Sequence, residues 1–70
     1  MPEQISLTVN GEPRHAPAGS SIADLVALIG LNPAKVAVER NGEIARRGTH
    51  AQVKLADGDI LEIVHFVGGG

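Results

Sequence analysis

The segment Ile60-Leu61-Glu62-Ile63-Val64-His65-Phe66-Val67 is nearly continuous in apolar residues. Such a run predicts a strand in the middle of a sheet, with both faces covered. The tight-turn sequence Asp57-Gly58-Asp59 stands directly before it, and Gly68-Gly69-Gly70 directly after. The other strongly patterned strand lies at the opposite end of the chain. There Ile5, Leu7 and Val9 alternate with Gln4, Ser6 and Thr8, the period of a half-buried strand. These two strands are expected to be neighbours. Asn10-Gly11, whose residues both tolerate positive φ, predicts a hairpin turn into a return strand over Glu12–Ala16. Pro13 and Pro17 cannot donate ladder hydrogen bonds, which assigns that strand to a sheet edge.

Between the two ends, Ser21 is placed to cap the Asp24 amide, and Asp24 sits where the helix dipole favours negative charge. Aspartate is a weaker reciprocal partner than the Glu or Gln of a full capping box. Ile22, Leu25, Val26 and Ile29 follow at helical spacing. Gly30 and Leu31 offer a Schellman closure, and Pro33 blocks continuation. A short strand is expected over Val36–Arg40, with Asn41-Gly42 as a second turn and Glu43–Ala45 extending the pairing. Residues 46–52 are irregular, and Val53 and Leu55 around Lys54 suggest one further brief strand. The expected class is α+β: a mixed sheet of four to five strands with one helix packed across one face. With parallel first and last strands, this arrangement resembles the ubiquitin-like β-grasp roll. The expected division is a domain over residues 1–67 and a flexible glycine tail over 68–70.

Seventy residues make one domain, and 43% apolar content is enough to pack a core. The chain has no Cys, so it carries neither disulfides, thiolate metal sites nor a cysteine nucleophile. Six Lys and Arg against eight Asp and Glu leave a formal charge of −2, which speaks against a nucleic-acid partner. No apolar run approaches the roughly 20 residues that span a bilayer, and Met1-Pro2-Glu3-Gln4 does not open like a signal peptide. A cytoplasmic protein without a membrane partner is expected.

Little inside the domain reads as catalytic. His15, His50 and His65 are far apart in sequence, with no second ligand at metal spacing, and are expected to be surface or strand residues bonded to water. No metal is expected. Asp57-Gly58-Asp59 lacks the later acidic ligands of a calcium loop. Ser20 and Ser21 have neither a nucleophile elbow nor an identifiable base. The glycine tail differs. Without Cβ atoms it can enter a narrow channel in any backbone conformation, and it leaves a terminal carbonyl unhindered.

The segments Val36-Ala37-Val38-Glu39-Arg40-Asn41-Gly42-Glu43-Ile44 and Leu55-Ala56-Asp57-Gly58-Asp59-Ile60-Leu61-Glu62-Ile63-Val64, with Gly69-Gly70 last, resemble the ThiS family, the sulfur carriers of thiamine biosynthesis. The opening strand with Asn10-Gly11 and the helix near Ser21 also fit, so the resemblance covers essentially the whole chain. Gly68 stands where members often have another small residue. The resemblance implies a carrier rather than an enzyme. Gly70 would be adenylated by a ThiF-like enzyme using ATP, with no cofactor bound by the carrier itself. Sulfur from a donor such as a cysteine desulfurase would then give a thiocarboxylate, with Gly68 and Gly69 threading into partner sites. Thiazole synthase, ThiG, would take the sulfur. The related MoaD small subunit of molybdopterin synthase and a ubiquitin-like modifier share the fold and tail. A non-transferring β-grasp interaction module is a further class.

Partner contacts are expected on two features. With Leu61 and Ile63 turned to the helix, Val64 and Phe66 fall on the opposite sheet face and together form an apolar patch. Arg46-Arg47 is the basic pair expected to meet an acidic partner surface.

Overall fold

A computed structural model describes residues 3–66. The expected boundary at residue 67 lies outside the described residues. The strands are β1 (Gln4–Val9), β2 (Glu12–Pro17), β3 (Val36–Arg40), β4 (Glu43–Ala45) and β5 (Ile60–His65), with one helix, α1 (Ile22–Leu28). They form a single mixed sheet in the order β2-β1-β5-β3-β4. β1 and β5 are parallel neighbours at the centre, and the proline-bearing β2 lies at an edge. The central position of the last strand and the edge position of β2 agree with the sequence.

Local chemistry explains each connection. Asn10 and Gly11 have φ of 51° and 83°, and Asn41 and Gly42 have 52° and 86°. These are the positive pairs of type I′ turns, whose twist matches that of the strands they join. At the start of α1, Ser21 Oγ accepts from the Asp24 N–H at 3.1 Å, and an Asp24 carboxylate oxygen accepts from the Ser21 N–H at 2.9 Å. Aspartate therefore completes the reciprocal box after all. At the other end, the Gly30 N–H reaches the Ala27 carbonyl and the Leu31 N–H the Val26 carbonyl, both at 3.0 Å, in the Schellman pattern.

The helix contributes Ile22, Leu25 and Val26 to the core, all fully buried. They meet Ile5, Leu7 and Val9 of β1, Val36 and Val38 of β3, and Leu61 and Ile63 of β5. Burying one such side chain contributes about 1.5–3 kcal/mol. A helix of seven residues is held by this packing and not by its own propensity. The core is wholly aliphatic, since Phe66, the chain's one aromatic residue, is 42% exposed.

Three expectations need correction. β5 alternates exposed and buried residues, so it is covered on one face only, because the single helix covers a single face of the sheet. Val53–Leu55 is not a strand: Lys54 makes one isolated bridge to Ser21 while Val53 and Leu55 pack toward the core. His50 is buried rather than solvated, with Nε2 3.0 Å from the Ala45 carbonyl oxygen and no partner for Nδ1.

Candidate functional site

β5 directs the chain toward Phe66, the last described residue. Gly68, Gly69 and Gly70, the residues singled out for thiocarboxylate chemistry, lie outside the described residues. What the structure describes is the base from which they depart and the sheet surface beside it.

The base is held from both flanks. Asn10, in the β1–β2 turn, accepts from the Ile63 N–H at 2.8 Å and donates to the Ile63 carbonyl at 3.1 Å. Its side chain thereby continues the parallel β1–β5 pairing past the end of β1. On the other flank, Asn41 accepts from the Ile60 N–H at 2.9 Å and donates to Asp59 Oδ1 at 3.0 Å. Asp59 Oδ2 also accepts from Arg40 Nε and the Ala56 N–H, both at 2.8 Å. Burial by itself pushes the Asp59 carboxyl up. The hydrogen bonds from the Ala56 N–H, Asn41 and Arg40, with the Arg40 charge, outweigh it and hold the carboxyl below its ordinary 3.8. The expected Asp57-Gly58-Asp59 turn is present, and its acid groups are structural: Asp57 Oδ1 accepts from the Ser6 N–H at 2.7 Å.

The strand register fixes what shares the face opposite α1. Glu39 is paired with Ile44 on one side and Glu62 on the other, Ala37 with Val64, and Thr8 with Ile60. Ile44, Ile60 and Val64 are respectively 73%, 57% and 60% exposed. Phe66 follows just beyond the strand, its N–H donating to the Lys35 carbonyl at 2.8 Å. The Arg47 guanidinium carbon lies 5.6 Å from the Phe66 ring centroid, a cation–π contact. Two expected partner residues, Arg47 and Phe66, are thus brought together, while Arg46 stands exposed at the start of the 3-10 turn Arg47–Thr49. A shallow groove of about 460 Å³ is lined in part by Arg40, Glu43, Ile44 and Arg46. Ile44, Ile60 and Glu39 were missed as surface candidates from the sequence. Alternation with buried neighbours was the available signal for Ile60, while Ile44 stands between an exposed Glu43 and a half-buried Ala45; only the pairing shows that they share a face. Among the described residues no three His, Cys, Asp or Glu side chains come together in a metal-binding cluster.

This geometry has close counterparts among known proteins. The ThiS family profile matches residues 7–70. The sulfur carrier protein ThiS of Bacillus subtilis is 50% identical over 71% of this chain and 76% of its own length. A crystal structure of the thiamine biosynthesis protein ThiS from Geobacter metallireducens, 35% identical, superposes with a TM-score of 0.75 over 94% of this chain and all of that one. The thiazole synthase of Magnetococcus marinus is 46% identical over 94% of this chain. That of Paramagnetospirillum magneticum is 47% identical over the same share. The chain spans about a fifth of the length of these two synthases.

Proposed function

The chain belongs to the ThiS family, and from that premise we propose that it is a sulfur carrier of thiamine biosynthesis whose Gly70 bears the transferable sulfur. The observation that carries this reading is the family match over residues 7–70, which includes the glycines beyond β5. A carboxylate is a poor electrophile. A ThiF-like adenylating enzyme joins the Gly70 carboxylate oxygen to the α-phosphorus of ATP, and pyrophosphate leaves. The acyl-adenylate then offers AMP as a leaving group to the outer sulfur of a persulfide that a desulfurase makes from cysteine. A thiol reduces the resulting acyl disulfide, itself ending in a disulfide, to leave the thiocarboxylate. Thiazole synthase consumes it, in the cytoplasm. The carrier's contribution is reach: Gly68 and Gly69 thread the reacting carbon into a partner site with reacting atoms roughly 3–3.5 Å apart while the folded body stays outside. In this reading Val64, Phe66, Arg46 and Arg47 make the body's contact with the adenylating enzyme.

The test is intact mass after incubation with the cognate adenylating enzyme, ATP and a sulfur donor. The chain is expected to gain the difference between one sulfur and one oxygen, mapped to its terminal peptide. A chain amidated at Gly70, or lacking residues 68–70, is expected to gain nothing while keeping its fold. Equal modification of the amidated chain, or a gain mapped elsewhere, overturns the carrier reading.

A further inference from the structure

We propose that the Glu39–Glu62 pair on the open face of the sheet is the seat for an arginine of thiazole synthase, which docks there through the apolar residues around the pair. The proposal rests on the sulfur-carrier reading and adds the chemistry of the contact.

Glu39 of β3 and Glu62 of β5 are direct register partners. Like charges directly opposite across two strands are destabilising. Among the described residues neither takes part in an ion pair; the ion pair found there joins Arg40 to Asp59. The frame around the two acids is apolar. Ile44 pairs with Glu39 on its far side, and Ile60 and Val64 lie two residues to either side of Glu62 on the same face. The face is therefore a largely apolar surface with two carboxylates at its centre that form no ion pair among the described residues, while Arg47 lies at its Phe66 end.

A partner that covers Ile44, Ile60 and Val64 also removes water from Glu39 and Glu62. That dehydration is costly unless the partner supplies a cation with its own hydrogen bonds. Arginine meets the requirement better than lysine. Its planar guanidinium carries donors enough for two carboxylates and is more weakly hydrated than an ammonium group. A second copy of this chain is the wrong complement, because a two-fold contact centred on the pair sets its acids against their own copies. Thiazole synthase is the chosen occupant because domains similar to this one make up about a fifth of two synthase chains. Sharing a chain holds a domain at high effective concentration beside its partner surface.

The experiment titrates the full chain into the cognate thiazole synthase by calorimetry, alongside the double variant E39Q/E62Q and the single variant E62Q. Urea unfolding is expected to show the double variant at least as stable as the parent, since a repulsion is removed. Its Kd is expected to weaken by about thirtyfold or more, the loss that follows removal of one side of a covered charge pair, with E62Q intermediate. Phenylglyoxal labelling with peptide mapping is expected to reveal a synthase arginine protected by the parent chain and unprotected with the double variant. An unchanged Kd, protection of lysines alone under an amine reagent, or sedimentation showing the chain paired with itself through this face overturns the proposal. Parent chain that gains sulfur at Gly70 yet binds synthase independently of Glu39 and Glu62 defeats this inference alone. Failure of the parent to gain sulfur defeats the carrier reading.

Discussion

The side chain of Asn10 behaves as an extra residue of β1, exchanging two hydrogen bonds with the backbone of Ile63 at 2.8 and 3.1 Å. The same residue holds the first position of a type I′ turn, at a φ of 51°. One residue therefore turns the first hairpin with its backbone and, with its side chain, fixes the central strand 53 residues away.

Those two roles separate by substitution. Asn10→Gly keeps the turn and loses both bonds to Ile63, and an unfolding free energy about 1–3 kcal/mol lower is expected. Asn10→Ala loses the same bonds and keeps a Cβ in the left-handed region without the polar side chain that lets Asn tolerate it, and is expected to be about a further 1–2 kcal/mol less stable than Asn10→Gly. Urea unfolding of the three proteins checks the order. An Asn10→Gly protein as stable as the parent would show that the bridge contributes nothing.

Asp59 gives the fold an acid-sensitive point. Its carboxyl titrates below 3.8 in the folded chain because the hydrogen bonds and charge around it overcome its burial. A group depressed on folding stabilises fully above its unfolded value, and the contribution disappears as pH falls through the folded value. The parent's advantage over Asp59→Asn is therefore expected to be constant near neutrality, and to shrink once the pH drops below about 3.8. Thermal melts of both proteins from pH 7 to pH 2 measure it. A gap that holds its size into strong acid would assign Asp59 no such role.

Phe66, with Arg47 against its ring, and the exposed Arg46 are expected to matter more for contact than for folding. Phe66→Ser removes a ring outside the core along with its cation–π contact to Arg47, for which stability is expected to fall by about 0.5–1 kcal/mol. Binding to the adenylating enzyme is expected to weaken by about tenfold or more, as for an exposed aromatic anchor. Reversing both Arg46 and Arg47 to Glu is expected to slow association and reduce its salt sensitivity. Stopped-flow rates at two ionic strengths decide the second point. Variants that unfold, or that bind as the parent does, would remove this patch from the interface.

The amino-acid sequence by itself determined the hairpin turns and the two ends of α1, whose causes lie within a few residues. Asn10-Gly11 and Asn41-Gly42 specify I′ turns because those residues accept positive φ, Ser21 with Asp24 starts the helix, and Gly30 with Leu31 stops it. Alternation in β1 and the apolar density of β5 were enough to make them central neighbours, since their burial demands each other. Tertiary structure alone decided what depends on distant partners. A density of apolar residues in β5 does not say whether one or two layers cover it; one seven-residue helix covers one face and leaves Val64 and Ile60 outside. His50 reads as an ordinary polar residue until the chain around it closes and buries its ring. Asn10, Asn41 and Asp59 read as turn residues, and their second task, binding the backbone or neighbours of a strand far along the chain, exists only after that strand is inserted. Glu39, Ile44 and Glu62 likewise become a single surface only through the β4-β3-β5 register, because pairing and not sequence proximity sets which side chains stand side by side.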